Sequence, residues 1–188
     1  MKKVLVFIIV IVGILLLLAM GTIGTYNELV QMDENVDAQW AQIENQLKRR
    51  SDLIPNLVNT VKGFASQEKE VLIGVTEARS KLETAATPEQ AAQANAELSS
   101  ALSRLNVVVE RYPELKSNEN FIRLQDELAG TENRIAVARR DYNESAKLFN
   151  SQIRKFPTNI LASMFGFEQK EYFQVNEEDQ KVPEVNFE

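Results

Sequence analysis

Between Leu29 and Phe64 the apolar positions fall into two interleaved series. Leu29, Val36, Ile43, Leu57 and Phe64 keep a seven-residue register, and Asp33, Trp40, Leu47, Ile54 and Val61 form a second one offset by four. Alternating steps of four and three hold side chains on one face of an α-helix, so the stretch predicts one seam of a helical bundle. About 36 residues at ~1.5 Å each make a rod of roughly 54 Å. Two seam members are polar, Asp33 and Arg50. Arg50 stands mid-rod, where an unpaired charge would be costly. Pro55 interrupts the same stretch. With Asp52 as the N-cap of a helix restarting at Leu53, proline would sit in a tolerated first turn, so a bend is expected at Ser51-Asp52.

Ahead of the rod, Lys2 and Lys3 precede a run from Val4 to Ile23 without a charged residue. About 20 helical residues reach roughly 30 Å, the thickness of a hydrocarbon core. A cleaved secretory signal is the alternative, with Ala19-Met20-Gly21 as its cleavage site. The retained anchor is preferred, because the run exceeds the usual h-region and flows into the seam without a break. Basic residues precede the run, and Glu28, Asp33, Glu34 and Asp37 follow it. That bias places the amino terminus in the cytoplasm and the bundle outside.

Beyond Phe64 the pattern predicts three more helices. Gly63 is the first stop, after which Ser66 caps a helix that buries Val71, Leu72, Val75, Ala78 and Leu82. A spine running unbroken to Leu82 is the rival reading. Thr87-Pro88-Glu89-Gln90 forms a capping box, and the helix after it carries Ala91, Ala94, Leu98, Leu102, Leu105, Val109 and Tyr112 up to Pro113. Ser117 or Asn118 caps the last long helix, in which Phe121, Leu128, Ile135, Tyr142, Phe149 and Phe156 recur every seventh residue. An apolar segment over 160–173 follows, then an acidic tail.

The expected fold class is therefore all-α: an N-terminal transmembrane helix, then an antiparallel up-down-up-down bundle of two long and two shorter helices. Residues 1–25 are the anchor, 26–156 the bundle, and 157–188 a membrane-proximal apolar segment with the tail. Aligning the ends of the long helices gives partners whose numbers sum to about 182. This sets Arg50 level with Glu132, and Asp52 level with Arg134 or Thr131. The same rule returns Phe165, Phe167, Tyr172 and Phe173 to the level of Tyr26, either dipping into the lipid interface or plugging the end of the core. The plug is preferred, because the segment lacks a Lys/Arg-rich face.

Composition narrows the chemistry. The chain has no Cys and no His, which removes disulfides, a catalytic thiol, and the commonest general base and metal ligand. A formal net charge of −6 argues against a nucleic-acid partner. Ser66-x-x-Lys69 matches the start of a penicillin-recognising motif without its companions. Lys48-Arg49-Arg50 reads as one seam residue beside two solvated ones, and Glu177-Glu178 lacks the spaced oxygen ligands of a calcium loop. Asn143-Glu144-Ser145 matches a glycosylation acceptor but falls mid-helix. No catalytic residue, cofactor or metal is expected.

Several longer strings carry a resemblance: Tyr26-Asn27-x-Leu29-Val30, Arg49-Arg50-x-Asp52-Leu53-Ile54-Pro55-Asn56-Leu57-Val58, Val61-Lys62-Gly63-Phe64-Ala65, Glu77-Ala78-Arg79, Thr131-Glu132-Asn133-Arg134-Ile135 and Ala138-Arg139-x-x-Tyr142-Asn143. With them the chain resembles the LemA family of bacterial membrane proteins over nearly its whole length. The resemblance implies a single span in the bacterial plasma membrane, an antiparallel bundle and no catalysis. It further implies an adaptor or scaffold of the cell envelope, with an HtpX-like membrane metalloprotease or a TPM-domain protein as partner. Gln67, where many relatives carry histidine, is a departure. A self-assembling scaffold, homo-oligomeric through its Ala-rich helix and Gly-lined anchor, is the second reading; a ligand-binding sensor is the third.

Overall fold

The computed structural model describes residues 2–174, without the side chains of 2–6, 8, 10, 12 and 14–19. Six helices follow one another among them: α1 (Lys2–Phe64), α2 (Lys69–Thr84), α3 (Pro88–Val109), α4 (Pro113–Lys116), α5 (Glu119–Gln152) and α6 (Thr158–Phe165). All regular structure in the described residues is helical, so the fold is all-α. Among them no helix is long and apolar enough to cross a membrane. The backbone of 4–23 belongs to α1, but most side chains of that run lie outside the described residues, as does the acidic tail with Glu177 and Glu178.

The chain forms two compact units, one from the residues up to 38 with 144–170, the other from 39–143 with the stretch from 171. In the first, Gln152 donates to Glu28 and Asn35 to Ser145, so α1 and α5 run antiparallel there. Leu29, Val36, Ala146 and Phe149 fill the core of this unit.

The second unit is a four-helix, up-down-up-down arrangement. Trp40 packs on Tyr142 and Arg49 pairs with Glu127, which sets α1 against α5. Ser51 donates to Glu83 across α1 and α2, Lys81 pairs with Glu97 across α2 and α3, and Gln125 donates to Asn106 across α5 and α3. Ile43, Ile54, Leu57, Val61, Val75, Leu98, Leu105, Leu115 and Ile135 form its core. Burying stripes of this kind, more than helix propensity, holds helices of such length together.

Local signals account for three of the helix ends. Thr87 accepts from the Gln90 amide, while the Gln90 side chain accepts from the Ala86 N–H, closing the box that starts α3. Asn118 accepts from the amides of Asn120 and Phe121 and caps α5. Gly166, at φ +76°, ends α6, with the Phe167 N–H returning to the Ala162 carbonyl.

Four local expectations need correcting. First, α1 runs through Ser51, Asp52 and Pro55 without a break, and Asp52 caps nothing. Second, α1 does stop at Phe64, but α2 begins after Glu68, with no side-chain cap from Ser66. Third, α3 stops at Val109, so Tyr112 lies beyond it. Fourth, α5 ends at Gln152, which leaves Phe156 outside the seam and exposed, and Phe64 at the end of α1 is exposed too.

Candidate functional site

Arg50, placed by the heptad register on the buried face of α1, engages three partners through its terminal nitrogens, while its Nε is buried without a hydrogen-bond partner. Its guanidinium forms an ion pair with Glu132 of α5. It also donates to the Asn95 side chain and, at 2.9 Å, to the Ser99 hydroxyl, both on α3. Three helices thus meet on one side chain. The pair is lopsided: the Arg50 side chain is 5% exposed and that of Glu132 46%. Burial pulls the Arg50 pKa below its ordinary value, opposed by the charge and hydrogen bond of Glu132. Arginine still keeps its proton, so the node is a permanent buried cation; the Glu132 oxygen that faces it is buried too, although the rest of that side chain is half-exposed.

Asp52 and Arg134 are not brought together. Asp52 instead pairs with Lys48 at 2.8 Å, one turn back on the same helix, and the contact pushes the Lys48 pKa up. Arg134 lines a shallow surface depression with Gln39, Gln42 and Gln46. At about 100° per residue, Asp52 faces away from that flank of α1. A shared level in the bundle is no guarantee of a shared face.

A second polar cluster surrounds Pro55. Proline has no N–H, so the carbonyl four residues earlier, that of Ser51, loses its helical donor. Arg79 of α2 supplies one, its Nε donating to that carbonyl at 3.1 Å. The same guanidinium pairs with Glu83 at 2.8 Å, and Glu83 accepts from the Ser51 hydroxyl at 2.9 Å.

Of the four aromatics expected level with Tyr26, Phe165 and Phe167 lie against it in the first unit, whereas Tyr172 and Phe173 fall in the second. The Phe165 ring lies 4.7 Å from Tyr26 and the Phe167 ring 5.9 Å, while Phe167 also meets Phe149 edge-on at 6.2 Å. Lys170 bridges Asp33 and Asp37, each at 2.8 Å, and sits over the Phe149 ring. Burial alone would lower the Lys170 pKa, but hydrogen bonds and charge from the two carboxylates raise it above the ordinary lysine value. Asn150 then grips the Lys170 backbone with both ends of its amide, accepting from the N–H and donating to the carbonyl, each at 2.8 Å.

Phe173 belongs to the second unit and is buried there, facing Trp40 at 6.3 Å between ring centroids. Asn143 holds both its N–H and its carbonyl, and the half-buried Tyr172 lies between Phe173 and Glu171, whose carbonyl accepts from the Tyr142 hydroxyl. The asparagine of the glycosylation-like triplet is thus occupied in holding the chain.

Several of these residues escape sequence reasoning. Asn95 and Ser99 were findable, since both lie one turn apart on the alanine-rich buried stripe of α3. Lys170, Arg79 and Asn150 carry no local signal, because each acts on a group distant in sequence. Gln67, where a histidine was expected of the family, donates to the Tyr112 hydroxyl, which in turn donates to Glu68; that contact raises the Tyr112 pKa.

Together these features define an all-α bundle whose core is locked by a buried cation and whose proline-interrupted helix is repaired from its neighbour. The chain belongs to the LemA family, whose family model matches residues 39–187. It is similar to magnetosome proteins MamQ 1 and MamQ 2 of Paramagnetospirillum magneticum, each 30% identical over 175 residues, 79% of this chain and 64% of theirs. It is also similar to Protein LemA of Metamycoplasma hominis, 28% identical over 156 residues, 82% of this chain and 71% of that one. The chain therefore spans just under two thirds of the length of these magnetosome relatives.

Proposed function

We propose that the protein is a non-enzymatic adaptor of the bacterial cell envelope, anchored through residues 4–23 with its amino terminus cytoplasmic, whose bundle outside binds another membrane or envelope protein. The observation that carries the reading is where the polar side chains are spent. Arg50, Glu132, Asn95, Ser99, Arg79 and Glu83 are engaged in holding helices to one another. The anchor rests on the uncharged run behind Lys2 and Lys3. A groove of about 500 Å³ between α2 and α3 combines the small residues Gly74, Ala78 and Ala101, which admit a close approach, with the charged Glu77, Lys81 and Arg104, which suit a polar partner surface. An HtpX-like metalloprotease or a TPM-domain protein is the first partner to test.

Photo-crosslinking from Ala101 and Gly74 in intact membranes, read by mass spectrometry, tests the adaptor. Links to a protein of different sequence support it. Links to this chain alone would put the self-assembling scaffold in its place. Protease treatment of intact spheroplasts tests the topology: digestion only after lysis would reverse the orientation.

A further inference from the structure

The segment around α6 divides its side chains between two directions. Ile153, Thr158 and Ala162 are buried, whereas Phe156 (82% exposed), Ile160 (57%), Met164 (65%) and Phe165 (52%) are not. Buried and exposed apolar residues thus share one segment. Ile160 and Met164 follow at a step of four, the spacing of a single face of α6, and Phe156 is exposed in the turn just before that helix. Arg154 and Lys155, both exposed, stand immediately before them. An apolar face with aromatic members and flanking cations has the makeup of a segment lying in a membrane interface.

Position points the same way. Phe165 packs on Tyr26, three residues past the end of the uncharged run, and Ile23 and Met20 on the same helix are exposed as well. Through the Phe165–Tyr26 contact, α6 lies beside the end of the proposed anchor. We propose that Phe156 and α6 form a second membrane contact in the headgroup region of a bilayer containing anionic lipid. Phe156, Ile160, Met164 and Phe165 reach the acyl boundary, and Arg154 and Lys155 meet lipid phosphates. This inference rests on the reading of residues 4–23 as a span. A single helix in a bilayer is free to rotate about its axis; a second contact fixes which side of the first unit faces the lipid.

The chain has no cysteine, so single labels are clean. Met164→Cys, Ile11→Cys and Lys147→Cys variants of the full chain carry an environment-sensitive fluorophore in phosphatidylcholine–phosphatidylglycerol vesicles, with circular dichroism to show that each folds. Lipids brominated on their acyl chains should quench the labels at positions 11 and 164 about twofold or more, and leave 147 bright. Omitting phosphatidylglycerol, or combining Arg154→Gln with Lys155→Gln, should reduce quenching at 164 and not at 11. Quenching at 11 without 164 overturns the α6 contact and keeps the span. Quenching at 164 without 11 keeps the contact and overturns the span; quenching at neither overturns both. A label at 164 that is shielded but unquenched places a second copy of the chain on this face and overturns the proposal.

Discussion

Arg79 donates from Nε to the backbone carbonyl of Ser51, the one carbonyl of α1 that Pro55 deprives of its helical hydrogen bond. A proline inside a helix is usually read as a break or a kink. Here the missing donor is replaced from α2, and the helix continues to Phe64. The strings that hold Ser51 and Arg79 are 28 residues apart and act as one device.

The device makes a coupled prediction. Arg79→Met removes the surrogate donor and should cost about 1–3 kcal/mol, the usual penalty for an unsatisfied carbonyl in a packed interface. Pro55→Ala supplies the N–H that proline lacks, so Arg79→Met should cost clearly less in that background. Urea unfolding of the four proteins in detergent measures the coupling; equal costs in both backgrounds would show that Arg79 acts only through Glu83.

The lock around Arg50 predicts an asymmetry. Glu132→Ala leaves a buried cation with only the neutral Asn95 and Ser99 to face it. Breaking such a pair typically costs ~3–5 kcal/mol, and the half-exposed position of Glu132 argues for the lower end. Arg50→Met fills the same space without charge and leaves Glu132, whose side chain is half-exposed, to turn its buried oxygen out to water. Thermal melts should therefore show Glu132→Ala below Arg50→Met, with the double mutant recovering much of the difference. Additive losses would separate the two residues energetically.

What the sequence reveals and what it hides divides along range. Leu29, Val36, Ile43 and Leu57 are buried because a seven-residue period needs only the residue type and the pitch of a helix. Thr87 with Gln90, and Asn118 with Phe121, are legible for the same reason: donor and acceptor are three residues apart. Phe156 fits the period of α5 yet lies outside it, since a period carries no information about where hydrogen bonding stops. Asp52 matches Arg134 in height but not in azimuth, a rotation that only packing fixes. Lys170 reaches Asp37 across 133 residues, and no local pattern announces such a contact.

Lys170 predicts an alkaline transition. Its pKa is raised in the folded protein, so its ion pairs contribute stability that is fully present below the ordinary lysine value of about 10.5. The contribution is lost as pH rises through the higher folded value. Stability should fall more steeply above pH ~10.5 in the wild type than in Lys170→Met, which lacks the titrating group. Denaturant midpoints from pH 9 to 12 test this; parallel curves would show that the two aspartates hold Lys170 no better than water does.

Asn150 offers the sharpest test of how the segment after α6 is held. Its amide satisfies the N–H and the carbonyl of Lys170 at once, and the side chain is buried. Aspartate at this position keeps the acceptor, but its ionised form presents a second oxygen to the Lys170 carbonyl where a donor is needed. Losing one bond and adding that repulsion should cost about 1–3 kcal/mol, read as a roughly 5- to 150-fold faster exchange of the Lys170 amide at neutral pH. A protonated carboxyl group both donates and accepts, so acid should restore the grip in Asn150→Asp and leave Asn150→Ala unchanged. Burial disfavours the charged form, which moves the recovery above the ordinary aspartate range. Hydrogen exchange of each variant against wild type at the same pH isolates this effect from the titration of Asp33 and Asp37. Recovery in the aspartate variant alone shows that the hydrogen-bond pattern, and not the size of the side chain, fixes the backbone at Lys170; equal behaviour of the two variants would assign the role to packing.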